Sequence, residues 1–222
     1  MVGPSFLKDG GVFLRKTIGL ILLLSLFIVG CSNDAVEPVK KGDIPIDYLK
    51  DYYSNPQVTD DRTLIEVDQT ISDEKGEATL KAINYINSTH EIGPVQLRIK
   101  DMKLIHLKPD YSLIDYFHVL THDEEFDFVK VFVEIENTSS EKVNFAPIAL
   151  LETSSGEKFD WEKDIYLEEL NGELEGKASK KGNLGFIVEK SEDLEWIEIT
   201  TSDVFDKDGS KIQDSQKVKI EF

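Results

Sequence analysis

Cysteine is nearly absent from this chain of 222 residues: Cys31 stands alone. One thiol cannot close an intramolecular disulfide, so the fold rests on its apolar core, and cysteine usage is silent about redox compartment. Cations are scarce too. Lys and Arg number 25 against 43 Asp and Glu, a formal net charge of −18. Removing residues 1–30 makes the remainder more acidic still, since it takes away Lys8, Arg15 and Lys16 against Asp9 alone. A surface of this sign repels phosphate backbones and lacks the basic footprint that nucleic-acid binding requires. No GxSxG elbow, P-loop or dinucleotide fingerprint occurs, so three common catalytic and nucleotide-binding classes have no motif here. There is no internal repeat and no second long apolar run.

The one apolar run is "IGLILLLSLFIVG", residues 18–30, with Arg15 and Lys16 just before it and Cys31 just after. It is shorter than the roughly 20 residues a spanning helix needs. Cations, a short apolar stretch and a small-residue end are the layout of an export signal. Ile28-Val29-Gly30-Cys31 resembles the bacterial lipobox. That resemblance implies that the Cys31 thiol receives a diacylglycerol and that signal peptidase II cuts before it. Two acyl chains give stable anchoring where one does not. Anionic headgroups would repel so acidic a domain, leaving the lipid to hold it. Residues 1–11 add Asp9 and no useful apolar surface, which predicts a true start at Leu14 read from a TTG codon.

Three divisions are expected: a signal peptide over residues 1–30, a lipidated and flexible tether over 31–61, and one folded domain over 62–222. The tether carries Pro38, Pro45 and Pro56, with a turn of helix at "IDYLKDYY". From residue 62 the pattern is β. "TLIEV" is expected to open it. "VQLRIKDMKLIHL" puts Val95, Leu97 and Ile99 on one face, then slips phase to Met102 and Leu104, as a β-bulge does. "FVKVFVEIEN" puts Val129, Val131, Val133 and Ile135 inward, with Lys130, Glu134 and Glu136 pointing to water. "VNFAPIALLET" reads as one strand bent by Pro147, and "DKDGSK" as a hairpin turn. Many short strands between turn signals predict an all-β antiparallel sandwich.

"FDFVKVFVEIENTSSEKVNFAPIALLETSSGEKFDW" followed by "LNGELEGKASKKGNLGFIVEK" resembles the immunoglobulin-like lipoprotein domain of unknown function found in Gram-positive bacteria (DUF4352-type, like immunoprotective extracellular antigens). The hallmarks lie at residues 131–138, 156–159 and 176–186, and the resemblance extends over 95–222. They are turn and core residues. The resemblance therefore implies an immunoglobulin-like sandwich and brings no catalytic residues with it.

Chemistry-bearing clusters are few. "HVLTHDEE" places His118 and His122 beside Asp123, Glu124 and Glu125; imidazole with carboxylate suits zinc or another divalent ion, and on a helix the two rings would share a face. No third ligand is fixed by spacing, and a polar loop explains the stretch as well. "DVFDKDGSKIQD" gathers Asp203, Asp206, Asp208 and Asp214, but it lacks calcium-loop spacing and a closing Glu. Residues 160–175 hold seven acids and Lys163, read as a solvated face. No catalytic, metal or cofactor residue is assigned; Cys31 is the one site residue. The expected protein is a lipid-anchored module on the extracellular face of the cell membrane. It is expected to bind an envelope protein without catalysis, with a metal- or solute-binding role as the alternative and a hydrolase third.

Overall fold

A computed structural model of the chain describes residues 46–222. Cys31, the apolar run and about half of the expected tether, residues 31–45, lie outside them. Thirteen strands follow one another among the described residues: β1 (Thr70–Asp73), β2 (Gly76–Ile92), β3 (Val95–Pro109), β4 (Phe126–Asn137), β5 (Val143–Phe145), β6 (Leu150–Thr153), β7 (Lys158–Asp160), β8 (Gly172–Leu174), β9 (Ser179–Val188), β10 (Trp196–Thr200), β11 (Val204–Asp206), β12 (Lys211–Gln213) and β13 (Lys217–Glu221). Among the described residues the one α-helix, the short α1 (Ile114–Phe117), sits between β3 and β4. The strands form three antiparallel sheets, ordered β1-β2-β3-β4-β9, β13-β10-β6-β7 and β12-β11-β5-β8. The fold is an all-β antiparallel sandwich.

Alternation along β3, β4 and β9 builds the main core. Val129, Val131, Val133 and Ile135 meet Leu97, Ile99, Leu184 and Phe186, and the two smaller sheets close over them with Phe145, Leu151, Ile197 and Ile199. The predicted phase slip is real: the β3–β4 register shifts between Ile99 and Asp101, which keeps Met102 and Leu104 facing this core. The Asn-Thr turn after β4 has a physical reason. The Asn137 amide donates to the carbonyls of Glu141, Leu174 and Glu175, and its oxygen accepts from Ser139.

Over much of its length the opposite face of the large sheet is not open to water, contrary to expectation; only towards its far end do Glu134 and Glu136 stay half-exposed, as expected. Phe126, Phe128, Ile105 and Leu107 form a second cluster with Val58, Leu64, Phe117, Ile165 and Tyr166. Three irregular stretches cover that face: residues 46–66, the α1 region and residues 161–170. Residues 46–61, expected as the end of the tether, are thus part of the packed body. Asn55, Val58, Thr59 and Asp61 are buried there. "IDYL" does form a turn of 3-10 helix. "TLIEV" is not a strand: it follows a 3-10 turn at Asp61–Thr63 and sends Leu64 into the second cluster.

Lys130 is the clearest departure from the alternation rule. Its side chain points away from the main core, as expected, but into a covered face. The Lys130 and Lys103 ammoniums donate to Asp61 Oδ2 at 2.7 and 2.8 Å, and Lys130 lies 3.5 Å from Asp101 Oδ1. The Tyr48 hydroxyl donates to the other Asp101 oxygen. Burial alone pushes the Asp61 carboxyl upward, but the two ammoniums outweigh it and hold it well below the usual carboxylate range. Burial dominates at Lys103, where it pulls the ammonium down.

Two further corrections concern connections. "VNFAPIALLET" is two strands, and the Pro147 break carries the chain from the β5 sheet to the β6 sheet. The acidic stretch at 160–175 is not simply a solvated face, since Asp164, Ile165, Tyr166 and Leu170 are buried within it. It lies against β9 because Gly185 has no Cβ; one placed there would come within 2.8 Å of the Tyr166 ring.

Candidate functional site

A cleft of about 1020 Å³ opens between the loop after α1, the β6–β7 turn and the end of β9. Its polar centre is a cross-strand pair. His106 on β3 stands opposite Asp127 on β4, and Nδ1 meets Asp127 Oδ1 at 2.7 Å. The Ser191 hydroxyl, just past β9, donates to the other Asp127 oxygen. An ionised carboxylate only accepts, so the shared proton of a neutral imidazole sits on Nδ1 and leaves Nε2 as an acceptor. This is not a serine-nucleophile relay, because Ser191 bonds the carboxylate rather than the imidazole. The carboxylate–histidine arrangement is instead the one that orients a ring for binding a ligand or a metal at Nε2.

His122, Asp123, Glu125, Glu157 and Glu189 line the same cleft, with Lys158 and Lys163 as the opposing cations. The Glu157 carboxylate is partly used by the fold, accepting from the Glu189 N–H and the Ser155 hydroxyl. Phe126, Phe159, Ile187 and Val188 contribute apolar wall. Negative charge exceeds positive, so the cleft favours a cationic group.

The predicted "HVLTHDEE" cluster is divided by this arrangement. α1 ends at Phe117, so His118 and His122 do not share a helix face; their ring centroids are 6.3 Å apart, and both rings are exposed. His122 and Asp123 line the cleft and His118 does not. Among the described residues no three His, Cys, Asp or Glu side chains are grouped to hold a metal ion. His106, which sequence reasoning passed over as one polar position in a strand, is the residue the fold brings to them. Only the β3–β4 register places it against Asp127. The second acidic candidate resolves into turn chemistry. Asp206 Oδ1 accepts from the Asp208 and Ser210 N–H groups, Asp203 accepts from Ser215, and Gly209 supplies φ +80°. Cys31 lies outside the described residues.

Sandwich and cleft together define a β-domain with a preformed, predominantly acidic depression. The chain is 55% identical over 231 aligned positions to Uncharacterized protein YdhF of Bacillus subtilis (strain 168), which covers 91% of this chain and 98% of that one. It belongs to the YdhF family. A second relative, the SPbeta prophage-derived uncharacterized lipoprotein YonS of the same strain, is 30% identical over 149 positions, covering 65% of this chain and 66% of its own length. No family model matches the chain, so the likeness to the immunoglobulin-like lipoprotein domain rests on its turn and core residues. Among solved structures, a functionally unknown protein from Listeria monocytogenes EGD-e is 15% identical, with TM-score 0.44, over 66% of this chain and 88% of that one. The yjhA protein from Bacillus subtilis is 13% identical, with TM-score 0.39, over 61% and 97%. Among the described residues no helix is long and apolar enough to cross a membrane.

Proposed function

We propose that this protein is a lipoprotein held to the extracellular face of the cell membrane by Cys31, where it serves as a non-catalytic binding module. The observation that carries the reading is Ile28-Val29-Gly30-Cys31 at the end of a short apolar run preceded by Arg15 and Lys16. The lipoprotein name of its relative YonS supports it. Binding is assigned to the acidic cleft, and the partner is an envelope protein presenting a basic surface. Metabolic labelling with an alkyne fatty acid in a Gram-positive host tests the anchor. Label is expected on the wild-type chain and absent from Cys31→Ala, which should leave the membrane fraction. Label retained on Cys31→Ala, or missing from the wild type, sinks the anchored reading.

The Asp127-oriented His106 ring favours a second reading, in which the cleft takes a divalent cation or a small cationic solute. Under that reading, zinc or copper raises the melting temperature of the full chain in detergent by several degrees, since a ligand at 100 times its dissociation constant contributes about 2.7 kcal/mol. The shift disappears in His106→Ala/His122→Ala. The absence of a shift with zinc, copper, calcium or manganese removes the divalent-cation form of this reading.

A further inference from the structure

A second depression, about 550 Å³, lies away from the acidic cleft, between the covering segment at residues 51–57 and the loop at 166–169. Two features set it apart. Tyr53 and Leu167 line it with 89% and 62% of their surfaces in water, two large apolar side chains presented together rather than packed away. Its backbone is also strained. Six non-glycine residues among those described have left-handed φ, and three of them line this pocket: Asp51 at +60°, Leu167 at +52° and Glu169 at +53°. Aspartate tolerates that region; leucine and glutamate enter it only against the clash of their Cβ with the backbone.

The fold holds the strained loop firmly. The buried Asp164 carboxylate accepts from the N–H groups of Tyr166, Leu167 and Gly185. Glu168 ties the loop to the covering segment by accepting from the Tyr52 hydroxyl and the Asn55 amide. Backbone strain that the surroundings over-determine is a feature of ligand clamps, and here it falls on Leu167, which lines the depression that Tyr53 also lines. Charge fixes the class of occupant. The Asp51 and Glu169 carboxylates have no cationic partner among the described residues, and Lys181 is occupied by the carbonyls of Tyr48 and Lys50. A second copy of a chain at −18 would meet repulsion, so the occupant is a different molecule.

We propose that the Tyr53–Leu167 pocket docks a peptide segment of a partner protein that carries an apolar side chain next to Lys or Arg. The apolar side chain seats between the Tyr53 ring and Leu167, and the cation reaches Asp51 and Glu169. Buried aromatic and aliphatic anchors ringed by charge are how compact interfaces gain most of their affinity. The inference rests on the binding-module reading and adds a second surface to it.

The test places the photocrosslinking residue p-benzoylphenylalanine at position 53 of the full chain in a Gram-positive host, and separately at position 111, where Tyr111 is 88% exposed. The crosslinked peptide is identified by mass spectrometry. The expected yield at position 53 is at least tenfold that at position 111, on a segment with Lys or Arg within two residues of an apolar one. It should fall about tenfold in Asp51→Asn/Glu169→Gln. Leu167→Gly should also lose the crosslink while melting no lower than the wild type, because glycine relieves the strained φ. Equal yields at the two positions, a captured segment without a cation, or a yield indifferent to the charge variants would overturn the proposal. Fractionation of the same cells separates it from the anchored reading. A soluble chain that still crosslinks at position 53 defeats the anchor alone, and an anchored chain without that crosslink defeats the pocket alone.

Discussion

Replacing Asp61 by asparagine leaves Lys103 and Lys130 buried side by side with only Asp101 to balance them. Breaking one partner of a buried ionic group costs about 3–5 kcal/mol, so Asp61→Asn should lower the denaturant midpoint sharply. Lys130→Met should cost a comparable amount, since it leaves the buried Asp61 and Asp101 carboxylates with Lys103 alone to balance them. Acid exposes the same group. The Asp61 carboxyl is depressed in the folded chain, so its contribution is complete above the ordinary carboxylate range and fades as pH falls below about 4. Asp164 works the other way. Burial raises it to about 6 despite three backbone donors, so stability rises on acidification from pH 7 towards 4. A stability maximum near pH 4 is the expected sum, with a decline on both sides of about that value. Asp164→Asn should flatten the upper arm in pH-dependent chemical denaturation; an unchanged profile would remove Asp164 from it. None of this was legible in the sequence. Lys130 occupies a position whose alternation is correct for a polar face, and nothing local reveals that other residues cover that face.

At the scale of the element, the long strands read well because period-two alternation is a local property. β4, β9 and β13 fall where their apolar residues recur, and the β3 bulge is visible as a phase slip. Short pieces read poorly. "TLIEV" has the composition of a strand, yet Asp61 is claimed by Lys103 and Lys130 and pins the stretch as a turn. The covering segment up to residue 61 looks like a linker in sequence because its proline and charge are those of a linker. Its order comes from partners far along the chain, such as the Asn55 amide on the Tyr166 carbonyl. Amide exchange should therefore protect Val58 and Leu64, both buried, far beyond what a tether allows. Exchange there as fast as at the exposed 123–125 loop would contradict the packing. Likewise Gly185→Ala should cost about 1–3 kcal/mol by forcing Tyr166 off β9.

For the molecule as a whole, fold class follows from turn spacing and alternation, whereas the cleft does not. His106 and Asp127 meet through register, and Ser191 joins from another strand's end. Such a constellation has no sequence spacing to find. Charge, by contrast, is a global quantity and is read directly. If the proposed anchor holds, a chain this acidic should bind anionic vesicles through the lipid alone and against charge repulsion, so raising salt should leave wild-type membrane association unchanged or strengthen it. Release of the lipidated chain by salt would mean that the protein surface contributes to the hold.

The covering segment also imposes an order of events on the newborn chain. Asp61 is made 42 residues before Lys103 and 69 before Lys130. Asn55 waits for Tyr166, 111 residues later. The part of the domain that emerges first from the ribosome is thus among the last to find its place. Until β3, β4 and the 164–168 loop have followed it, this stretch must travel as an unfolded leader, open to any chaperone or protease that reads extended chain.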